Sequence, residues 1–237
     1  CDILEAAVDR YFKLIFYPDE GTRSRRAVRS DRDETLRFVP RPQIQDDVSD
    51  IPILHSLTIN LMQPCEHVPY LGMAEAYQLS ITTGDAKLLS KSIWGVLRGL
   101  ETFSQMVYES SYGTIMVNGV VIEDYPRFSH RGTMIDTSRH FLTKRSILDN
   151  LDAMAYSKMN VLHWHVVDDQ SFPYQSRDFP NLSYMGAYDP YTHIYTQEDI
   201  REIIEYARLR GIRLIPEFDS PGHTQSWGLG QPHFLTQ

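Results

Sequence analysis

Apolar residues alternate with polar ones or recur at helical spacing over most of the first 125 residues. A helical pattern covers residues 2–16, and alternation over residues 57–61 and 77–81 predicts two strands. One long amphipathic helix is predicted further on, from apolar residues at helical spacing: Leu89, Ile93, Val96, Leu97, Leu100, Phe103 and Val107.

A β-hairpin is predicted near the end of this region. Residues 114–117 and 120–123 have the pattern of short strands, and the Asn-Gly pair at 118–119 tolerates the positive φ angles of a tight turn. We therefore expect residues 1–125 to form a small α+β domain with an antiparallel sheet. Within it, residues 18–50 mix Arg with Asp, Glu, Pro and Ser, which predicts a solvated, charged insertion.

From residue 131 onward the pattern becomes strand, helix, strand, helix and strand. The predicted elements are a strand at 133–136, a helix around 147–155, a strand at 160–167, a helix that begins at Thr196 with Asp199 completing a capping box, and a strand at 212–218. Repeating βα units predict an α/β fold with a parallel sheet, a TIM or (β/α)8 barrel. A whole barrel needs about 250 residues. We therefore expect residues 126–237 to hold its first three βα units, and we interpret both ends of the chain as truncated.

Composition argues against two classes of partner. Hydrophobic residues make up 42% of the chain, yet no run of 18 apolar residues could span a membrane. The formal net charge of −8 argues against a nucleic-acid binder, which would need a basic face. We expect a soluble protein.

Ionisable residues follow each predicted strand of the second region. They are Asp136, Arg139 and His140 after the first strand, His163, His165, Asp168 and Asp169 at the second, and Glu217, Asp219 and His223 at the third. The carboxyl ends of parallel strands meet at one face of a barrel, where active sites lie. The sequence therefore predicts one shared pocket.

Two roles are open for the most prominent basic residues. Arg139 could be a structural ion-pair partner of Asp136, or its planar guanidinium could bind sugar hydroxyls. His163 and His165 point the same way on a strand, and we interpret His163 as a hydrogen-bonded core histidine.

The acidic and aromatic residues have alternatives too. Asp168 and His223 could form a dyad in which the carboxylate orients the imidazole. Asp169 could cap a turn, and Glu217 could be a buried structural acid. Trp164 and Trp227 could stack on a sugar or pack in the core. A zinc site is the other reading of the cluster, with these ligands: His163, His165, Asp168 and His223.

The two cysteines and one sequon leave the compartment open. Cys1 and Cys65 would be free thiols in a reducing compartment and could pair in an oxidising one. Asn181 begins an Asn-Leu-Ser sequon, an acceptor for glycosylation in secreted proteins.

Several long motifs resemble glycoside hydrolase family 20, the β-N-acetylhexosaminidases, most closely the animal lysosomal subunits. They are residues 94–105 (WGVLRGLETFSQ), 131–141 (RGTMIDTSRHF), 163–173 (HWHVVDDQSFP), 206–213 (YARLRGIR) and 216–223 (PEFDSPGH). Their order also fits this family, and the likeness covers nearly the whole chain apart from residues 18–50.

The resemblance implies a retaining exo-glycosidase that removes terminal β-linked N-acetylhexosamine without a cofactor or metal. The acetamido oxygen of the substrate acts as the nucleophile, a Glu is the general acid, and the preceding Asp orients the acetamido group. By motif match, Arg139 would hold sugar hydroxyls, His165 would line the pocket, and Asp168 with His223 would form a dyad that tunes the general acid. The likeness also implies a lysosomal or secreted glycoprotein, dimeric when complete, with a Cys1–Cys65 disulfide in its N-terminal domain.

One family feature is missing from the sequence. Residues 131–237 contain no adjacent Asp-Glu pair in that order. The resemblance therefore implies that the general acid Glu and the Asp before it lie beyond Gln237, after a fourth barrel strand. We expect this chain alone to be inactive, while its parent is the enzyme.

Two other classes are weighed against that reading. They are a metal-dependent barrel hydrolase and a non-catalytic sugar-binding protein, which would keep Arg139 and the aromatic residues but lack a general acid. The sequence does not separate N-acetylglucosamine from N-acetylgalactosamine as the substrate.

Overall fold

A computed structural model describes residues 1–17, 51–110 and 113–235. Two predictions concern residues outside the described ranges. One is the charged insertion at 18–50, and the other is the catalytic Asp-Glu pair that we expect beyond Gln237. The chain divides into two compact units. One consists of residues 1, 3–64 and 75–125, and the other of residues 2, 65–74 and 126–237. Cys1 and Cys65 are disulfide-bonded, which decides between the two states that the sequence left open.

The first unit contains a four-stranded sheet that is mixed, so the prediction of an antiparallel sheet is wrong. The strands are β1 (Ser56–Leu61), β2 (Tyr77–Ile81), β3 (Asp85–Ser90) and β6 (Val120–Asp124), in the order β1-β3-β2-β6. β3 pairs antiparallel with β2 but parallel with β1. β3 was not predicted, and its insertion between β1 and β2 creates the parallel pair.

Two helices accompany this sheet. Helix α1 spans Asp2–Phe16, as predicted, and α2 spans Ile93–Met106. The prediction placed Leu89 in α2, but Leu89 lies in β3, because the helix begins only after Ser92, whose side chain accepts a hydrogen bond from the Gly95 amide at 3.2 Å.

The predicted hairpin across residues 118–119 is wrong. Two short strands, β4 (Tyr108–Glu109) and β5 (Ile115–Met116), pair with each other, while β6 pairs with β2 over five residue pairs. The longer ladder satisfies more backbone hydrogen-bonding groups than a hairpin with the two-residue β5 could.

The second unit is the predicted alternation of strands and helices. Its three parallel strands are β7 (Gly132–Asp136), β8 (Val161–Val167) and β9 (Arg213–Phe218), in the order β7-β8-β9. Helix α3 (Lys144–Tyr156) connects β7 to β8, and α5 (Gln197–Arg208) connects β8 to β9. Two short helices, α4 (Asn181–Gly186) and α6 (Gln225–Gly230), lie in the loops that follow β8 and β9.

Caps and a buried core fix these elements. The predicted capping box is present: Thr196 Oγ1 accepts from the Asp199 amide at 3.1 Å, and Asp199 Oδ2 accepts from the Thr196 amide at 3.0 Å. Gly211, with φ of 64°, allows the chain to turn from α5 into β9. The core between helices and sheet includes these fully buried side chains: Ile147, Leu151, Leu162, Trp164, Ile203 and Ile212. Within the described ranges, we find no helix of the length and apolarity that crossing a membrane requires.

Candidate active site

The carboxyl ends of the three parallel strands bring the predicted ionisable residues together. In the sheet register, Asp136 of β7 lies opposite His165 of β8, and His165 lies opposite Glu217 of β9. A register shift between His165 and Val167 ends the regular ladder just before Asp168. Parallel pairing alone therefore explains why residues more than 25 positions apart form one cluster.

Asp168 is the centre of this cluster and is almost completely buried. Its Oδ2 lies 2.6 Å from His165 Nε2 and 2.9 Å from an Arg139 guanidinium nitrogen, and its Oδ1 lies 3.0 Å from His223 Nδ1. The Asp169 amide donates to the same Oδ1 at 2.6 Å. Burial by itself would raise the pKa of Asp168, but these hydrogen bonds and the Arg139 charge outweigh it and lower that pKa. The carboxylate is therefore held ionised.

Arg139 is fixed by two carboxylates and still reaches solvent. One guanidinium nitrogen lies 2.6 Å from Asp136 Oδ2 and another lies 2.9 Å from Asp168 Oδ2. Asp136 Oδ1 accepts from the amides of Ser138 and Arg139 at 3.0 Å each, which locks the turn after β7. The Arg139 side chain keeps 39% of its surface exposed. Arg139 is thus an ion-pair partner of Asp136, as one prediction held. Its remaining guanidinium hydrogens could still bind sugar hydroxyls, as the other prediction held.

Glu217 joins two histidines at the end of β9. Its Oε2 lies 2.5 Å from His163 Nε2 and 2.8 Å from His165 Nδ1. The hydrogen bond with His165 is the main reason that the pKa of Glu217 is lowered. Burial would lower the pKa of His165, but its hydrogen bonds with Glu217 and Asp168 outweigh burial and raise it. Glu217 is half-buried, so it is not the buried structural acid of the alternative reading.

Within the described residues, the interpretation of His163 as a buried core histidine is wrong, but its expected hydrogen bond is present, to Glu217. Its side chain is 40% exposed, whereas that of His165 is 7% exposed. His163 shares a row of the sheet with Met134 and Ile215, which are also exposed, while the ring of His165 is held between Asp168 and Glu217.

The loop after β9 carries His223 to Asp168. His223 has φ of 60°, a conformation that few non-glycine residues adopt. Two hydrogen bonds hold this loop to the residues that follow β8. The Gln225 amide donates to Asp169 Oδ1 at 2.9 Å, and Ser226 Oγ donates to the Asp168 carbonyl at 2.5 Å. Asp169 thus fixes this distant loop. The hydrogen bond with Asp168 raises the pKa of His223.

Other predicted residues lie apart from the cluster. His140 is exposed, and Asp219 acts on His223 only through its charge. Trp164 is a core residue whose Nε1 donates to Thr137 Oγ1 at 2.9 Å. Trp227 packs edge-on against Phe172.

Tyr188 supports the site and was not predicted. Its hydroxyl donates to the Arg139 carbonyl at 3.1 Å across 49 residues of chain. Ser138 and Ser171 were also missed; they exchange hydrogen bonds of 2.9 and 3.2 Å beneath Arg139. Nothing in residue spacing signals these pairings, because each joins two separate loops.

A cation could meet three potential ligands here. Ligand atoms of Asp168, Asp169 and His223 lie within 4.8 Å of one another. The zinc set weighed from the sequence is not gathered, because His163 is directed at Glu217 instead. The Arg139 guanidinium also contacts Asp168, which places a positive charge where a cation would bind.

Two family profiles match the chain. One, described as "Glycosyl hydrolase family 20, catalytic domain", matches residues 128–237, and the other, described as "beta-acetyl hexosaminidase like", matches residues 1–106. Together they cover both regions that the sequence pattern separates.

Similar proteins are found among curated and solved proteins. The chain is 50% identical to β-hexosaminidase subunit α of Bos taurus over 237 residues, which is 100% of this chain and 41% of that subunit. A chitobiase of Flavobacterium johnsoniae has 38% identity and a TM-score of 0.68, covering 75% of this chain and 26% of that one.

A third similar protein was solved with a sugar bound. This exo-β-N-acetylglucosaminidase of Vibrio harveyi, in complex with N-acetylglucosamine, has 30% identity and a TM-score of 0.64, covering 76% of this chain and 30% of that one. On these matches, the chain belongs to glycoside hydrolase family 20.

Proposed function

We propose that this chain is part of a retaining exo-β-N-acetylhexosaminidase, to which it contributes an N-terminal α+β domain and the first three βα units of a TIM barrel. The observation that carries the proposal is the ionised, buried Asp168 that joins Arg139, His165 and His223 at the strand ends. The row of Met134, His163 and Ile215 on one face of the sheet also supports it. Their exposure fits an interior barrel face that further strands would cover.

In this proposal the substrate supplies the nucleophile. The acetamido oxygen attacks the anomeric carbon and forms an O–C bond, while the glycosidic C–O bond breaks and a general acid protonates the leaving oxygen. Water then opens the cyclic intermediate with retention. Arg139 holds hydroxyls of the terminal sugar through the guanidinium hydrogens that its two carboxylate partners leave free.

Asp168 and His223 act as a positioning dyad. The buried carboxylate fixes the imidazole through Nδ1 and favours its protonated form, which leaves Nε2 as a donor towards the pocket. His165 lines the same pocket and is held from both ring nitrogens, by Asp168 and Glu217. The raised pKa of both histidines suits an acidic working pH.

The chain by itself is proposed to be inactive. Residues 131–237 contain no adjacent Asp-Glu pair that could orient the acetamido group and protonate the leaving group. The chain also spans only 41% of the length of the Bos taurus subunit. In the proposal, the parent carries this Asp-Glu pair beyond Gln237. The general acid is therefore not one of the residues of the Asp168 cluster.

The parent is proposed to act as a homo- or heterodimer in the lysosome or outside the cell. The disulfide of this chain suits these oxidising compartments. The raised pKa values of His165 and His223 agree with an acidic compartment.

The test compares two chromogenic substrates on the product of the extended reading frame, with and without a chelator. Cleavage of a β-N-acetylglucosaminide but not of the β-glucoside, unaffected by chelator, is the expected result, because only the first substrate carries the acetamido nucleophile. Loss of activity with chelator would instead favour the cation site at Asp168, Asp169 and His223. Cleavage of neither substrate would favour a sugar-binding protein.

A further inference from the structure

An open depression on the second unit is lined by none of the residues of the Asp168 cluster. Its volume of about 380 Å³ is near the lower end of the roughly 300–1,000 Å³ of small-molecule sites. The residues that line it all belong to the segment between β8 and α5: Gln175, Pro180, Asn181, Ser183, Tyr184, Pro190 and Ile194. It therefore combines amide and hydroxyl groups with apolar and aromatic surface.

An exposed tyrosine, Tyr184, lines this depression, and a second one, Tyr191, contacts Tyr184. Tyr184 and Tyr191 are 54% and 78% exposed, and their rings meet edge to face with centroids 6.4 Å apart. Tyr188 and Met185 on the same segment are also exposed. Adjoining exposed apolar side chains are a feature of interaction sites. The flat apolar face of a sugar ring packs well on such tyrosines, while its hydroxyls reach amide groups.

Asn181 stands in the wall of the depression and begins the Asn-Leu-Ser sequon. It is exposed at the first turn of α4. Ser183, the third sequon residue, is buried and its hydroxyl donates to the Pro180 carbonyl at 3.3 Å. A transferase must bind the sequon in an extended form, so modification would have to precede the folding of α4. The disulfide of this chain indicates an oxidising compartment, where such transfer takes place.

We infer that Asn181 carries an N-linked glycan whose first N-acetylglucosamine lies in this depression, against Tyr184. In the transfer, the Asn181 amide nitrogen bonds to the anomeric carbon of a lipid-diphosphate oligosaccharide. The bond from that carbon to the diphosphate oxygen breaks, and the diphosphate leaves while the amide loses one proton. The attachment point lies in the depression itself, so the first sugar reaches it without any free linker.

A docked glycan has a consequence for the surface. It covers apolar area around Tyr184 and Tyr191 that would otherwise face water and other copies of the protein. This role does not depend on the proposed hydrolase activity. The glycan at Asn181 and the hydrolase activity are tested by separate experiments, and the failure of one leaves the other standing.

The first experiment tests attachment. The full protein is produced through the secretory pathway of a eukaryotic cell, and the peptide containing Asn181 is analysed by mass spectrometry after enzymatic deglycosylation in heavy-oxygen water. We expect Asn181 to be converted to labelled Asp in the wild type, and to stay unmodified in Ser183→Ala, which keeps the asparagine but destroys the sequon. Unmodified Asn181 in the wild type would overturn the inference.

The second experiment tests docking. An endoglycosidase that cuts between the first two N-acetylglucosamines is applied to the native protein carrying high-mannose glycan. We expect Tyr184→Ala to release the glycan about tenfold faster than the wild type, because the docked sugars are no longer held. Met185→Ala, also exposed but outside the lining, should match the wild type. Equal rates for all three proteins, with equal melting temperatures, would overturn docking and leave attachment standing.

Discussion

At the residue scale, the site is a connected set of charges rather than a collection of separate side chains. Asp136, Arg139, Asp168, His165 and Glu217 each contact the next at 2.6 to 2.9 Å. Each carboxylate is compensated by a cation or an imidazole, so burying Asp168 does not leave an unpaired charge. A change at one end of the set should therefore alter protonation at the other.

Glu217→Gln should lower the pKa of His165. The carboxylate raises that pKa through a hydrogen bond at 2.8 Å, and a neutral amide would keep the shape while removing the charge. The midpoint of the His165 imidazole signal, followed by NMR as pH is varied, reports this directly. An unchanged midpoint would show that Glu217 and His165 are not coupled.

His165 also makes stability depend on pH. Its pKa in the folded protein lies above the unfolded value of about 6.5, so its contribution is fully present below that value and disappears as pH rises through the folded pKa. His165→Asn should therefore reduce the free energy of unfolding more at pH 5 than at pH 8, as measured by denaturant titration. A loss that is the same at both pH values would contradict the assignment, and His140→Asn should change neither value.

At the scale of secondary-structure elements, the strongly periodic segments were predictable. Strands β7, β8 and β9 and helices α3 and α5 lie within a few residues of their predicted places. β3 was missed because Leu89 at its end continues the apolar spacing of α2. The hairpin failed because β6 pairs with β2, some 40 residues earlier in the chain, and local turn chemistry does not reveal such a partner.

The packing of α2 on its sheet depends on glycine. A Cβ at Gly95 would lie 2.4 Å from the Ala76 carbonyl oxygen and 2.2 Å from Ser90 Oγ, so the helix could not stay as close. We expect Gly95→Ala to reduce the free energy of unfolding by about 1–3 kcal/mol.

Thermal or denaturant unfolding of Gly95→Ala checks this expectation. Gly119→Ala is the matched control, because its Cβ would approach Ile81 O only to 3.4 Å. If both variants were equally stable, the close approach of α2 to the sheet would be disproved.

At the scale of the whole molecule, the place of the candidate site was predictable from the sequence, but the contacts that hold its loops were not. The strand-end residues were found because parallel topology forces them to one face. Tyr188 and Ser226, which hold the loops, were not found, because their partners lie 49 and 58 residues away without any repeated spacing. The family assignment covers both regions of the chain, and its catalytic consequences belong to the complete protein.

In the proposed enzyme Asp168 organises the sugar-binding site, and the decisive measurement is kcat/KM of Asp168→Asn in the complete protein. With a chromogenic β-N-acetylglucosaminide, we predict a fall of at least about a hundredfold and unchanged specificity against the β-glucoside. Asp178→Asn, an exposed carboxylate outside the cluster, should keep wild-type kinetics. Wild-type kcat/KM in a correctly folded Asp168→Asn would show that Asp168 does not organise the site.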